Sequence, residues 1–429
     1  MEHASSGAHA RERWSPARLL AWAGGVVILM AFSGHLLSIV ASRLGYQSRF
    51  WKLGLVALLC MLLFAIALAI ASLVRPSYEH PSDGPNRKTE AWFGPILALL
   101  VIVHVLLAVV VVRPGTAPPI DVYTFQRDAC GDLLKGIDPF GATQVDIYDA
   151  HISSLFYGPG MVANGRVLEG FQYTPLTLIW DLPGYLFGDV RLSYVLAVIV
   201  SALILFALSP DFRGLGIASF LLLSPLTFIV ESRSFTEPLI YMTLCATVYA
   251  AVKKRWWLPI ALGLFLASKQ YNVLALPLIV YFVHPLRAKS YWKLTGISVG
   301  IATATILPFA VWNPRGLWHD MILFHLRQPY RLDSLSFSVP FPWIMKVGPV
   351  LVLAFVIWAV RAGNRSAAMF PAAYGIVLLL FFCTSKQAFP NYYFLAGQAF
   401  FISVASLPAA ANRTSAPLAE DRSMRVAAS

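Results

Sequence analysis

The sequence predicts an all-α, polytopic membrane protein with about twelve crossings. Three observations predict it. Hydrophobic residues make up 58% of the chain and charged residues only 13%, against about a quarter charged in a soluble domain. The apolar residues fall into runs of about 20, the length that spans a bilayer core. Basic residues stand between these runs instead of gathering on a polar domain, a pattern that belongs to membrane topology and excludes a nucleic-acid-binding surface.

The segments follow in order. The tail 1–16 is polar, carries Arg11 and Arg13, and is read as cytoplasmic. The first run, 17–42, exceeds a signal-peptide core and is closed by no small-residue cleavage site, so it reads as a retained anchor. Runs 51–74, 91–112, 190–209, 213–230, 235–252, 291–312, 338–360, 366–384 and 388–407 follow. Segment 256–284 is too long for one span and has Ser268-Lys269-Gln270 at its middle, so two short helices turning at Lys269 are expected. Segment 173–188, with Pro175, Pro183 and Gly184, is expected to be interfacial or re-entrant. The positive-inside rule then puts loop 75–90 (Arg75, Arg87, Lys88), Lys253-Lys254-Arg255, Arg287/Lys289/Lys293, Arg361/Arg365 and the tail 408–429 in the cytoplasm. Loop 43–50, with Arg43 and Arg49, departs from it. No internal repeat of the transporter kind is visible. The organisation is a tail 1–16, two N-terminal spans with their loop over 17–90, a main transmembrane unit over 91–407, and a tail 408–429.

This bookkeeping leaves the polar clusters on the outer face. The first is loop 113–172, with Asp121, Asp128, Asp132, Asp138, Asp146, Asp149 and Glu169. The others are Glu231 through Glu237, Lys269-Gln270-Tyr271-Asn272, Lys386 through Tyr393, and loop 313–337 with His319, Asp320, His325, Arg327 and Arg331.

Within them, Asp121 is either a solvated loop residue or a general base whose proton affinity a partly dry cavity raises. Segment 124–135 reads as a short amphipathic helix that carries Asp128 and Asp132 on a solvated face and ends at Gly136. Asp138 then reads as a turn residue. Tyr123, Tyr148, Tyr157 and Tyr173 suit a membrane interface and would also stack on a sugar. Glu231, Arg233 and Glu237 are anchors, an ion network or functional groups. Lys269, mid-way in an apolar stretch, needs an anion: a carboxylate of this protein or a substrate phosphate. Lys386 can snorkel. Arg327 and Arg331, at i and i+4, suit a phosphate or lipid headgroups. His319 and His325 lack a nearby acidic triad, so no metal site is expected. Cys60, Cys245 and Cys383 lie in apolar runs and only Cys130 in the polar loop, which excludes a disulfide framework. No phosphate-binding loop, dinucleotide fingerprint or Gly-x-Ser-x-Gly is present.

Asp121-Val122-Tyr123 after a span, then Ala129 through Leu134, then Gly136-Ile137-Asp138-Pro139-Phe140, resembles the first extracytoplasmic loop of GT-C glycosyltransferases. Tyr173-Thr174-Pro175-Leu176, Ala267-Ser268-Lys269 and the Lys386–Tyr393 cluster fit the same pattern. Over about residues 91–407 the chain resembles glycosyltransferase family 87, the polyprenol-phosphate-mannose-dependent mannosyltransferases. The resemblance implies a GT-C-like helical bundle in a bacterial inner membrane, with its site facing the periplasm or exterior. It implies transfer of a mannose-type sugar from a polyprenyl-phosphate-sugar donor to a lipid or glycan acceptor, with inversion. Asp121 would be the base. Tyr123, Asp138, Tyr173, Glu237, Lys269, Gln270, Arg327, Arg331, Lys386 and Tyr392 would bind substrate. Fixed cations would stand in for a metal, so no cofactor is obligatory, although a divalent cation is compatible. A transporter or flippase for a lipid-linked sugar is the alternative. It would have no use for Asp121.

Overall fold

The computed structural model describes residues 15–46, 48–74, 91–283, 286, 288–362 and 365–414. Most of the expected N-terminal tail, loop 75–90 with Arg75, Arg87 and Lys88, Arg287, and the tail beyond 414 with Arg422 and Arg425 lie outside the described residues. The chain is helical almost throughout, in the order α1 Pro16–Leu44, α2 Arg49–Val74, α3 Phe93–Val112, α4 Asp121–Leu134, α5 Ala150–Phe156, α6 Pro175–Leu186, α7 Arg191–Leu208, α8 Phe212–Leu223 and α9 Pro225–Ser232. Then come α10 Glu237–Val252, α11 Leu258–Ala267, a 3-10 helix Gln270–Tyr281, α12 Lys289–Trp312, α13 Pro314–Trp318, a π-turn His319–Leu323, α14 Phe324–Arg327, α15 Ile344–Ala362, α16 Phe370–Thr384 and α17 Pro390–Thr414.

Every run expected to cross contains a helix, although the run 338–360 becomes helical only from Ile344. Seven helical segments among the described residues are long and apolar enough to span a membrane, or eight if the bent pair α8–α9 is one span. The protein is therefore a multi-pass membrane protein. Fewer segments pass on length than the sequence count: α10, α11 and the 3-10 helix are shorter apolar helices. Proline explains the bend. Pro225 lacks an N–H and holds Ser224 extended, so 213–230 breaks into two helices at 48°. Segment 256–284 breaks where expected, with Lys269 extended between its two helices. The ten residues of α11 rise only about 15 Å, half the hydrocarbon thickness. Helix α6, twelve residues long, is likewise too short to cross.

The two N-terminal spans belong to the bundle. Helix α1 packs along α2 and along α17. Gly24 makes the second contact possible, since a Cβ there would stand 3.0 Å from the Gly397 carbonyl. Gly45, with φ +88°, ends α1 and donates its N–H to the Ala41 carbonyl.

Loop 113–172 is a small folded unit. Its amphipathic helix starts at Asp121, three residues earlier than expected, and ends before Gly136. Asp149 caps α5 by accepting the N–H groups of His151 and Ile152, both at 2.9 Å. An unexpected three-stranded antiparallel sheet, β1 Gln144–Val145, β3 Arg166–Val167 and β2 Val162–Ala163, closes the unit. One apolar cluster (Tyr123, Phe140, Phe171 and Tyr173 with Phe309 and Leu317) clamps this unit to the end of α12 and to α13. A second (Phe125, Tyr157, Met161 and Val167 with Phe324) clamps it to α14. These loops are thus held as one layer over the bundle.

Glu231 does not join the outer polar clusters. It points into the bundle, where a carboxylate oxygen lies 3.0 Å from His104 Nε2, with both side chains fully buried. His104 Nδ1 is 2.7 Å from the Leu222 carbonyl. A carbonyl only accepts, so Nδ1 carries a hydrogen and the pair with Glu231 shares one further proton. The pair ties α3 to both halves of the bent helix.

Candidate active site

The five polar clusters meet. One cavity of about 1080 Å³ is lined by Asp121, by Gln172 and Tyr173, by Arg233, Thr236 and Glu237, by Lys269 through Tyr271, by His325 and Arg331, and by Lys386, Gln387, Asn391 and Tyr392. Helix α1 adds one face: His35, Ser38 and Ser42, at i, i+3 and i+7. Met345, Pro349, Phe381 and Phe382 make part of the wall apolar.

Asp121 stands in the first turn of α4, where the helix dipole favours a negative charge. One carboxylate oxygen accepts the Tyr157 hydroxyl at 2.9 Å and the other the Val122 N–H at 2.8 Å. Its own N–H donates to the Tyr148 hydroxyl at 3.1 Å. Burial raises the carboxyl above its ordinary range, and the Tyr157 hydrogen bond, the Val122 N–H and the Arg331 charge hold part of that rise back. Burial and the Asp121 charge push the Tyr148 and Tyr157 phenols up, so both stay protonated. The solvated-loop reading of Asp121 does not hold, because α4 begins at this residue and turns it into the cavity.

Lys269 is held in the gap between α11 and the 3-10 helix. Its ammonium donates to Thr236 Oγ1 at 2.6 Å and lies 4.3 Å from the centre of the Tyr173 ring. Glu237 and Asp181 are near enough to act on its charge, but it makes no ion pair among the described residues. Arg331 pairs in two-pronged fashion with Asp333, at 2.6 and 2.7 Å, and its guanidinium lies 3.6 Å from the Phe156 ring centre and 5.1 Å from that of Phe389. Lys386 donates to the Leu326 carbonyl at 3.0 Å and to that of Gln328. Gln270 donates to the Gln172 and Met321 carbonyls at 2.8 and 3.1 Å and ties two walls together. The Tyr392 ring stacks on Phe382 at 4.5 Å.

Three expected site residues are elsewhere. Tyr123 is buried under the Arg191 guanidinium at 4.8 Å, in the packing layer below α4. Asp138 is a turn residue that accepts the Phe140 N–H at 3.0 Å and the Asn313 amide at 2.6 Å. Arg327 contacts His319 Nε2 at 3.0 Å. It is the last residue of α14, and the chain leaves extended through Gln328, so Arg327 and Arg331 never share a helix face.

His319 and His325 also part. His325 Nε2 faces the Gln172 carbonyl at 3.0 Å, and burial with the nearby lysine charges lowers its imidazole to about 4. His319 does meet acids, contrary to the reading from spacing. Its Nδ1 lies 2.5 Å from Glu169 and 3.2 Å from Asp320. Glu169 comes from a segment about 150 residues away in sequence, so local spacing could not reveal it. The three offer ligand atoms within 4.8 Å of one another and, among the described residues, are the group that could hold a metal ion. Burial and Glu169 push the Asp320 carboxyl up to about 9.

Sequence reasoning missed Thr236, Gln172 and the α1 face, none of which carries a local signal. It also missed His104, which did carry one: an imidazole in the middle of an apolar run.

No protein-family model matches the chain, and no curated protein matches it. Two solved structures are similar. The crystal structure of ArnT from Cupriavidus metallidurans bound to undecaprenyl phosphate is 18% identical, with a TM-score of 0.48, over 73% of this chain and 60% of that one. The apo structure of ArnT from the same organism is 17% identical, with a TM-score of 0.47, over 73% and 59%. The chain spans about three fifths of the length of the ArnT structures it matches.

Proposed function

We propose that the protein is a GT-C-type membrane glycosyltransferase that takes a sugar, mannose-type favoured, from a polyprenyl-phosphate-sugar donor. The acceptor is a lipid- or glycan-linked hydroxyl on the extracytoplasmic face of a bacterial inner membrane. The observation that carries this reading is a half-buried, hydrogen-bonded carboxylate, Asp121, in one cavity with an ammonium that no carboxylate among the described residues pairs, Lys269, and an apolar wall. The acceptor oxygen attacks the anomeric carbon while its proton passes to Asp121. The bond from that carbon to the phosphate oxygen breaks with its electron pair on the phosphate. Lys269, with Arg331 and Lys386, meets the developing charge. A single displacement inverts the anomeric centre. These fixed cations take the part that a divalent metal would otherwise play. The apolar wall takes the polyprenyl chain. Asp121 separates this reading from a flippase, which has no proton to remove.

The phosphate role of Lys269 is directly testable. Lys269→Met should stay folded, since it removes a buried charge and one hydrogen bond to Thr236. A charge-assisted bond contributes about 1.5–3 kcal/mol, so the Kd of the purified variant for polyprenyl phosphate should rise roughly ten- to a hundredfold. An unchanged Kd removes Lys269 from the phosphate site.

The orientation has its own test. Ser154 is exposed on α5, next to Ser153, whose hydroxyl donates to Asp146. Ser154→Cys should react with an impermeant maleimide on spheroplasts whose membrane is intact. Reaction only after permeabilisation reverses the topology and rules out the donor class.

A further inference from the structure

Part of the cavity wall consists of polar atoms that nothing among the described residues satisfies. Both carboxylate oxygens of Glu237, the side-chain nitrogen of Gln172, the Tyr271 hydroxyl and Asn391 Oδ1 are buried without a hydrogen-bond partner. Glu237, Gln172 and Asn391 are 1%, 3% and 5% exposed, and all four residues line the cavity. Buried polar groups in folded proteins are almost always paired, so this wall is shaped for a ligand.

The atoms also say which ligand. Glu237 and Asn391 Oδ1 accept, Gln172 Nε2 donates, and the tyrosine hydroxyl does either. A phosphate only accepts at neutral pH and would be repelled by Glu237. A hydrocarbon chain would leave every one of these atoms unpaired. A cation would match Glu237 but not Gln172, and the charge of Lys269 already acts on that carboxylate. Hydroxyl groups both donate and accept, and two neighbouring hydroxyls match the two oxygens of one carboxylate. The rings of Tyr173 and Tyr392 line the same cavity and offer faces for sugar C–H groups.

Resting on the donor reading above, we propose that Glu237, Gln172 and Asn391 form the subsite for the donor's sugar, a neutral ring with free neighbouring hydroxyls, and that Glu237 selects it. The placement fits one glycosyl–phosphate bond. Thr236, which holds the Lys269 ammonium, is the residue before Glu237, so the phosphate and sugar ends are adjacent.

The test compares two ligands on the full-length protein in nanodiscs: polyprenyl phosphate, and polyprenyl phosphate carrying mannose. The wild type should bind the glycosylated lipid more tightly. Glu237→Gln keeps the shape and breaks no bond within the protein. It should weaken the glycosylated lipid roughly ten- to a hundredfold and, since it removes a charge that repels phosphate, leave polyprenyl phosphate bound at least as tightly. Gln172→Met should act the same way more weakly. Deoxy analogues of the mannosyl lipid should lose affinity for the wild type and none for Glu237→Gln. Equal effects of Glu237→Gln on both lipids, or on neither, overturn this assignment while leaving the donor class standing. A wild-type preference for an aminosugar lipid that Glu237→Gln abolishes also overturns it, with a cation as the true partner. Failure of the wild type to bind polyprenyl phosphate at all overturns the donor reading and this inference with it.

Discussion

Asp121→Asn is expected to slow sugar transfer by about a hundred- to ten-thousand-fold, the range lost when a general base is removed, with donor binding intact. The amide keeps the size of the side chain and can still accept from the Tyr157 hydroxyl, but it takes no proton. The pH dependence follows from the same geometry. Burial raises the Asp121 carboxyl, and only its ionised form accepts the acceptor's proton. The rate should therefore fall as pH drops through that raised value, on an acid limb above the ordinary carboxylate range. Tyr157→Phe deletes a hydrogen bond that favours the ionised form and should move the limb to higher pH. Asp128→Asn is the control, because Asp128 pairs with Arg127 on a partly exposed face of the same helix at 2.7 Å and should cost little. Purified enzyme and a polyprenyl-phosphate-sugar donor suffice for the assay. Near-normal turnover by Asp121→Asn would falsify the base assignment.

His104→Ala is expected to lower stability by about 3–5 kcal/mol, the cost of stripping one partner from a buried ion pair. The variant leaves the Glu231 carboxylate alone inside the bundle and frees the Leu222 carbonyl that faced the ring. His104→Leu with Glu231→Leu should recover most of the loss, since no polar group is then stranded. Unfolding in mixed micelles would report both. A His104→Ala protein as stable as wild type would mean the pair contributes nothing. The cavity is lined by Arg233 and Ile229, next to Glu231 on the same stretch of chain, so lost activity in this variant is read only alongside its stability.

The helices are legible in the sequence because lipid demands long apolar runs, and prolines mark the breaks at Ser224–Pro225 and after Thr174. The convergence of the polar clusters is legible too, because charge bookkeeping puts them on one side. What fails is the choice within each cluster. Tyr123 and Asp138 have the residue types of a site, but α4 turns Tyr123 beneath itself and the Asp138 carboxylate closes its own turn. Arg327 and Arg331 look like a helical pair until the helix stops between them. Gln172, Thr236, and Glu169 with His319 acquire partners from segments far away in sequence, and no window of residues contains such a contact. Gly24 and Gly397 are the sharpest case: each alone is a weak spot in a helix, and only the fold shows that a Cβ on Gly24 would press on the Gly397 carbonyl and one on Gly397 on Ile28.

That contact also governs the order of assembly. Helices of a membrane protein enter the bilayer from the N-terminus, and α1 is inserted long before α17 exists. Until α17 arrives, α1 has α2 as a partner but not the helix that carries Tyr392 and Asn391, and its face with His35, Ser38 and Ser42 borders no finished chamber. The nascent protein can thus hold every residue of loop 113–172, Asp121 included, and still have no closed cavity around it. The cavity is complete only once α17 has been made, because a nascent chain that stops before it lacks the wall that Asn391 and Tyr392 supply.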